Sequence, residues 1–357
     1  MNNIARIQAE LVKRDLDAIL ITDEKNQRYA TGFPFTDGAV IVGREQAWLI
    51  TDSRYIEAAE KAAGGCARVQ MFDREHSLLS LIQSALKEAG VQSLGGEEEK
   101  LSYGRYVTME KQLGMKLIPS QNLLATLRAS KTPEEIESMI RAQRISEAAL
   151  EETLQVIRPG MTEREAAAEL VYRMLRHGSE GNSFDPIVIT GKNTSMPHGV
   201  PGDTVIQEGD FITMDFGSLK NGYCSDMTRT VAVGHATDEM KNVYDIVLKA
   251  QLAGIAAARS GIPGRDIDAA ARKVITDAGF GPYFGHGFGH CLGLDIHEAP
   301  NCSPAGNILM PEGAVSSAEP GIYLPGRFGV RIEDVMVLHP EGAEVITKAP
   351  KMELIVL

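Results

Sequence analysis

Three histidines, His286, His290 and His297, fall within the thirteen residues HGFGHCLGLDIHE, in a chain that has only eight. Imidazole ligates metals or exchanges a proton near neutral pH, so three in one glycine-rich stretch mark a candidate site. The stretch alone does not decide between those two uses, because a coordination shell needs further donors. Asp215 and Asp226 are candidates: they lie in two β-rich runs within residues 210–234 that flank Asn221-Gly222, a strong hairpin signal. With those two as the turn, Asp215 faces Thr228 and Asp226 faces Gly217, all on one side of the hairpin and roughly 5 to 8 Å apart. Carboxylates so close repel, and Phe211, Ile212, Met214 and Met227 around them make uncompensated burial costly. Something positive is required. Arg229 falls on the opposite face by strand parity, so a cation is the stronger answer. Further on, Glu319 precedes Pro320-Gly321, and Glu333 sits in the β-branched run GVRIEDVMVL, where alternation puts Arg331, Glu333 and Val335 on one face and Asp334 on the other. Asp215, Asp226, His290, Glu319 and Glu333 therefore form a carboxylate-rich set with at least one imidazole. Such a set suits a pair of hard or borderline divalent ions, Mn²⁺, Zn²⁺, Co²⁺ or Fe²⁺, and not thiolate chemistry.

The elements that must position these residues divide at about residue 127. Before it, short apolar runs at Ala18–Ile21, Ala39–Val42, Ala47–Thr51 and Ala67–Phe72 read as strands, and Leu78–Gly90 reads as a helix with apolar residues three and four apart. This is an α/β layer domain, residues 1–127, in which Asp52, Arg54 and Tyr55 are expected to make a loop salt bridge and no chemistry. Residues 128–357 form the second domain, after a boundary at Ser130, Lys131 and Thr132. Thr132, Pro133 and Glu135 combine N-cap, first-turn proline and capping box, and Thr162 with Glu165 repeats the box. PGMTEREAAAE from Pro159 echoes PGRDIDAAARK from Pro263, and each copy leads into a glycine-rich loop bearing histidine, His198 in one and His286 in the other. A two-fold internal duplication would bring those loops together at the centre of one domain.

Composition narrows the class of function. Hydrophobic residues at 43% and charged residues at 24% are globular values, and no run approaches the ~18 apolar residues of a membrane helix. The N-terminus lacks the pattern of an export signal, and Cys66, Cys224, Cys291 and Cys302 form no CxxC pair, so a cytoplasmic protein without disulfides is expected. Cys224 and Cys291 read as packing residues. A net charge of −12 with no basic run disfavours nucleic acid.

The ordered motifs DFG, YCSDMTRT, HGFGHCLGLDIHE, AEPGIY and GVRIED resemble the Xaa-Pro peptidases, prolidase and aminopeptidase P of the pita-bread metallopeptidases. The N-terminal motifs NQRYATGF and TDSRY look like those of the creatinase/prolidase N-terminal domain. The resemblance implies an α/β (α+β) chain: a creatinase/prolidase-like domain, then a pita-bread catalytic domain with internal pseudo-two-fold duplication. It implies two divalent ions per subunit, Mn²⁺ first, with Asp215 on one, Asp226 and Glu333 bridging, and His290 and Glu319 completing the second. A hydroxide between the ions would attack the amide before proline, with Glu319 shuttling protons. His198 and His297 match the substrate-side histidines, His286 a further pocket histidine, and Arg331 a group that orients a ligand carboxylate. Two departures are Ser317 and Ala318, where family members commonly have Thr and Ile; the smaller pair could loosen the site or widen the pocket. Pro186 is expected to shape the pocket. The expected activity is hydrolysis of Xaa-Pro dipeptides by a homodimer whose N-terminal domain helps wall the partner's site. The alternatives are an aminopeptidase P acting on longer peptides and a non-catalytic peptide-binding relative. The complete ligand set argues against the latter and against the metal-free creatinase branch.

Overall fold

The computed structural model describes residues 2–357, and the chain divides into two compact units, Met1–Arg128 and Ala129–Leu357. The first unit is built on a mixed six-stranded sheet in the order Arg68–Met71, Ala47–Thr51, Gly38–Gly43, Ala18–Ile21, Leu94–Gly96, Leu117–Pro119. Its inner strands are continuous apolar runs because both faces are covered; Ala18–Ile21 and Ala47–Thr51 are buried at every position. The strand at Arg68–Met71 is the exception, a partly exposed edge. Helix Leu78–Glu88, started by a hydrogen bond from Ser80 N–H to the Ser77 hydroxyl, lays Ile82, Ala85 and Leu86 into the same core as Trp48 and Ile50. In the loop after Thr51, Arg54 is bound by both Asp52 and Asp37 at 2.6 and 2.7 Å.

The second unit repeats one motif. Helices Pro133–Leu154 and Glu163–Arg176, each opened by a complete capping box worth ~1 kcal/mol, pack Ile145, Ala149, Ala166 and Leu170 onto the sheet formed by Ile187–Thr190, Phe211–Phe216 and Met227–Ala232. Helices Asp238–Ala257 and Gly264–Asp277 then pack Val243, Val247, Ile267 and Ala271 onto a five-stranded sheet, ordered Glu298–Cys302, Gly289–Cys291, Val315–Ala318, Asp334–His339, Gly342–Val345. The long helix, short helix and sheet recur in order, as the Pro-Gly echo implied.

Within the first of these sheets, the hairpin forms in the register expected from its turn. Thr228 pairs with Asp215, and the same offset continues outward through Cys224 with Leu219 and Tyr223 with Lys220. Asn221 and Gly222 have φ of 51° and 74°, the paired positive values of a type I′ turn. Gly217 admits the close approach of the two arms, because a Cβ there would stand 1.9 Å from the Ser225 carbonyl oxygen.

One expectation changes. The run GVRIEDVMVL is two strands in different sheets, Phe328–Arg331 and Asp334–His339, broken at Ile332 and Glu333. The break leaves Glu333 N–H free to bond the Thr228 carbonyl at 3.1 Å, which joins the hairpin to the second half of the unit. At the boundary, the Lys131 side chain is only 2% exposed and its ammonium pairs with Glu298 at 3.1 Å. Among the described residues no helix is long and apolar enough to cross a membrane.

Candidate metal centre

His198, Asp215, Asp226, His286, His290, His297, Glu319, Arg331 and Glu333 line one cavity of about 490 Å³ in the second unit, whereas Pro186 is flanked by lining residues and is not one itself. Asp215 comes from the middle strand of the three-stranded sheet, Asp226 from the residue just before its partner Met227–Ala232, His290 from the strand Gly289–Cys291. Glu319 follows the strand Val315–Ala318, and Glu333 stands in the break just described. Oxygens of Asp226 and Glu333 and a ring nitrogen of His290 lie within 4.8 Å of one another. His290 Nε2 is 3.6 Å from Asp226 Oδ2 and 3.2 Å from Glu319 Oε1. Its Nδ1 lies 3.2 Å from the Cys291 carbonyl, so a proton on Nδ1 leaves the Nε2 lone pair facing the carboxylates. The Ser317 hydroxyl accepts from His290 N–H at 3.0 Å and donates to Glu319 at 3.1 Å, so the smaller residue at this departure still ties two members of the set together.

The electrostatics follow from four carboxylates taken out of water side by side. Burial, and then the neighbouring Glu333, push Asp226 well above the usual carboxylate range; burial and then Glu319 do the same to Glu333. Burial also raises Asp215 against the pull of Arg331. Burial presses on Glu319 in the same direction, but hydrogen bonding and charge from His290 outweigh it and leave Glu319 at about 2. His290 is raised in turn, Glu319 overcoming the burial that would lower it. The set as a whole is short of positive charge. Asp215 Oδ1, moreover, is buried without any hydrogen-bond partner. An unpaired buried carboxylate oxygen is costly, and a cation among carboxylates and one imidazole satisfies it. The residues present therefore fit divalent metal.

The histidines expected on the substrate side surround this cluster. His297 stacks edge-on against His290, ring centroids 4.4 Å apart, and is exposed on its other side, as is His198 on the opposite loop. Burial, then His290, lowers the pKa of His297. His286 is half-buried, and burial lowers its pKa also.

Comparison with known proteins identifies the family. Residues 137–340 match metallopeptidase family M24, and residues 3–130 match the creatinase/prolidase N-terminal domain. The chain belongs to metallopeptidase family M24. Among solved structures, this M24 metallopeptidase is similar to an Xaa-Pro dipeptidase from Bacillus anthracis, at 42% identity over 99% of each chain with a TM-score of 0.94. It is also similar to an X-Pro aminopeptidase from Thermotoga maritima MSB8, at 35% identity over 98% of this chain and 100% of that one with a TM-score of 0.92. In sequence it is 34% identical to an Xaa-Pro dipeptidase of Pyrococcus furiosus across 95% of each chain.

In this M24 chain, Arg331 bonds Asp215 directly, at 2.5 Å, and reaches its sequence neighbour Glu333 through the Thr228 hydroxyl. Sequence reasoning missed Tyr323, whose hydroxyl accepts from Arg331 at 2.9 Å and lies 2.8 Å from His286 Nε2. A signal was present, since Pro325-Gly326 between two β-rich runs implies a hairpin that sets Tyr323 on the face of Arg331. Thr228, expected opposite Asp215, donates its hydroxyl to Glu333 at 2.7 Å and accepts from Arg331 at 3.0 Å.

Proposed function

We propose that this M24 metallopeptidase is an Xaa-Pro exopeptidase, a dipeptidase first, that hydrolyses the amide before proline with two divalent ions, Mn²⁺ foremost, held by Asp215, Asp226, His290, Glu319 and Glu333. The observation that carries the reading is the convergence of four carboxylates and His290 on one cavity, with Asp215 Oδ1 buried and unpartnered. Bound divalent ions supply the electrophile for the carbonyl and lower the pKa of water into the neutral range.

The chain's own residues have distinct tasks. Glu319, whose Oε1 lies 3.2 Å from His290 Nε2 at the edge of the cluster, would accept and return the proton there. An amide nitrogen that belongs to proline carries no hydrogen, so it leaves only when a proton is delivered to it. His297 and His198, at the exposed rim, provide imidazoles for that delivery and for steadying the oxyanion. His286 has Nδ1 2.9 Å from the Gly287 carbonyl, so with a proton there its Nε2 accepts from Tyr323; Arg331, Tyr323 and His286 then form one directional chain. That chain fixes the cavity wall against which the substrate lies.

One observation favours the second reading, release of the N-terminal residue from longer peptides. Arg331 is the one permanent cation among the described residues lining the cavity, and it is already engaged by Asp215 and Tyr323. A dipeptide's terminal carboxylate would meet imidazoles and neutral groups such as Asn301 and Ser303, with no unengaged permanent cation. Ala-Pro assayed beside a tripeptide with proline second separates the two. A homodimer in the cytoplasm belongs to the same reading, tested by light scattering and cell fractionation. Asp226→Asn tests the site assignment: the account expects loss of metal and of Xaa-Pro cleavage, and a variant with full metal content and full activity overturns it.

A further inference from the structure

One lining carboxylate has no part in the metal cluster. Asp185 is exposed, and among the described residues it makes no hydrogen bond or ion pair, whereas Asp215, Asp226, Glu319 and Glu333 converge on His290 or its neighbours. Its placement follows from an irregularity in the sheet. Ile187 pairs with Asp215, but Asn182 bridges Ser218, so the chain advances five residues while its partner strand covers three. Two extra residues are expelled between these pairings. Pro186, without an N–H, cannot donate to the ladder there. Ser183 anchors the near side through its hydroxyl to the Ser218 and Ser225 carbonyls, both at 2.9 Å. Such bulges re-aim side chains beside active sites, and this one delivers Phe184 and Asp185 to the cavity wall next to Ile187.

We propose that Asp185 selects substrates whose N-terminal residue has a cationic side chain, lysine or arginine. The inference rests on the Xaa-Pro exopeptidase reading above. The half-buried Phe184 and Ile187 offer apolar surface for an alkyl stem, and Asp185 offers a solvated carboxylate for the charge at its end, the arrangement long basic side chains adopt on protein surfaces. Four lining carboxylates neutralised by metal leave Asp185 as the uncompensated negative group on the wall. The chain's net charge of −12 favours approach of cationic over anionic peptides in the same sense.

The test compares kcat/KM for Lys-Pro and norleucyl-Pro, which differ by the ammonium on one carbon stem, using metal-loaded full-length protein. An exposed pair of this kind predicts a preference for Lys-Pro of about fivefold, weakened by salt. Asp185→Asn is expected to bring the ratio near one, and Asp185→Lys to shift preference towards Glu-Pro. Calorimetric binding of free L-lysine against L-norleucine gives a readout without turnover and is expected to change in parallel. A ratio unchanged by Asp185→Asn overturns the inference. So does an equal loss on both substrates, which would assign Asp185 to the shared α-ammonium. If no Xaa-Pro peptide is cleaved, the exopeptidase reading fails and this inference fails with it.

Discussion

Arg331 holds Asp215 by one oxygen only: Nη2 stands 2.5 Å from Oδ2, while Oδ1 is buried with no hydrogen-bond partner. The same guanidinium donates through Nε to Thr228 and through Nη1 to Tyr323. A lysine ammonium lacks the planar fork that reaches all three. Arg331→Lys is therefore expected to weaken divalent-metal affinity by about 10- to 100-fold, the usual effect of losing a group that orients a ligand. Competition titration against a chelator measures this, and an affinity equal to wild type would show that Asp215 is placed without Arg331.

Ser317 makes two hydrogen bonds that alanine cannot, one from His290 N–H and one to Glu319. Ser317→Ala leaves a buried N–H without its partner, at a cost of about 1–3 kcal/mol. The expected result is a lower urea midpoint together with reduced kcat, and Ser317→Thr, which restores the hydroxyl, is expected to recover most of both. Equal losses for Ala and Thr would instead point to packing.

Gly217 lies between the two aspartate-bearing arms, and any Cβ there meets the Ser225 carbonyl at 1.9 Å and the Ser183 hydroxyl at 2.8 Å. Gly217→Ala must spread the hairpin that sets Asp215 against Asp226. A destabilisation of about 1–3 kcal/mol is expected from overpacking alone. Loss of metal content in the folded fraction is expected beside it, read by metal analysis after gel filtration.

Stability at high pH follows from two buried groups that are not among the proposed ligands. Burial raises the Cys302 thiol from 9.0 to about 11 and the Tyr244 phenol from 10.0 to about 12. Because the folded values lie above the unfolded ones, the neutral groups contribute stability that is complete below about pH 9 and lost as pH rises through 11 to 12, on the order of 2 kcal/mol each. Urea midpoints taken between pH 8 and 11 are expected to fall, and to fall less in Cys302→Ala. A flat profile would contradict the assignment.

Much of the site was legible because local rules reached it. Asn221-Gly222 determines the hairpin register, and register alone places Asp215, Asp226 and Thr228 on one face. The capping boxes at Thr132 and Thr162 determine where two helices start. What stayed hidden depends on contacts between distant segments. Arg331 appeared to serve Glu333, its neighbour by parity, but the break at Ile332 and Glu333 turns it towards Asp215, 116 residues away. The pairing of the boundary residue Lys131 was hidden because its partner, Glu298, is 167 residues off. The bulge before Ile187 is invisible locally too, since Pro186 signals an interrupted ladder but not which side chain the interruption redirects.

Whether the carboxylate and imidazole cluster works through bound divalent metal on Xaa-Pro bonds is tested by stripping the protein with a chelator, verifying metal removal, and assaying a small Xaa-Pro panel before and after readdition of Mn²⁺, Co²⁺, Zn²⁺ or Fe²⁺. The expected result is no cleavage by the stripped protein and recovery on readdition, strongest with Mn²⁺. Full cleavage by verified metal-free protein, or no cleavage with any of the four ions, would contradict it.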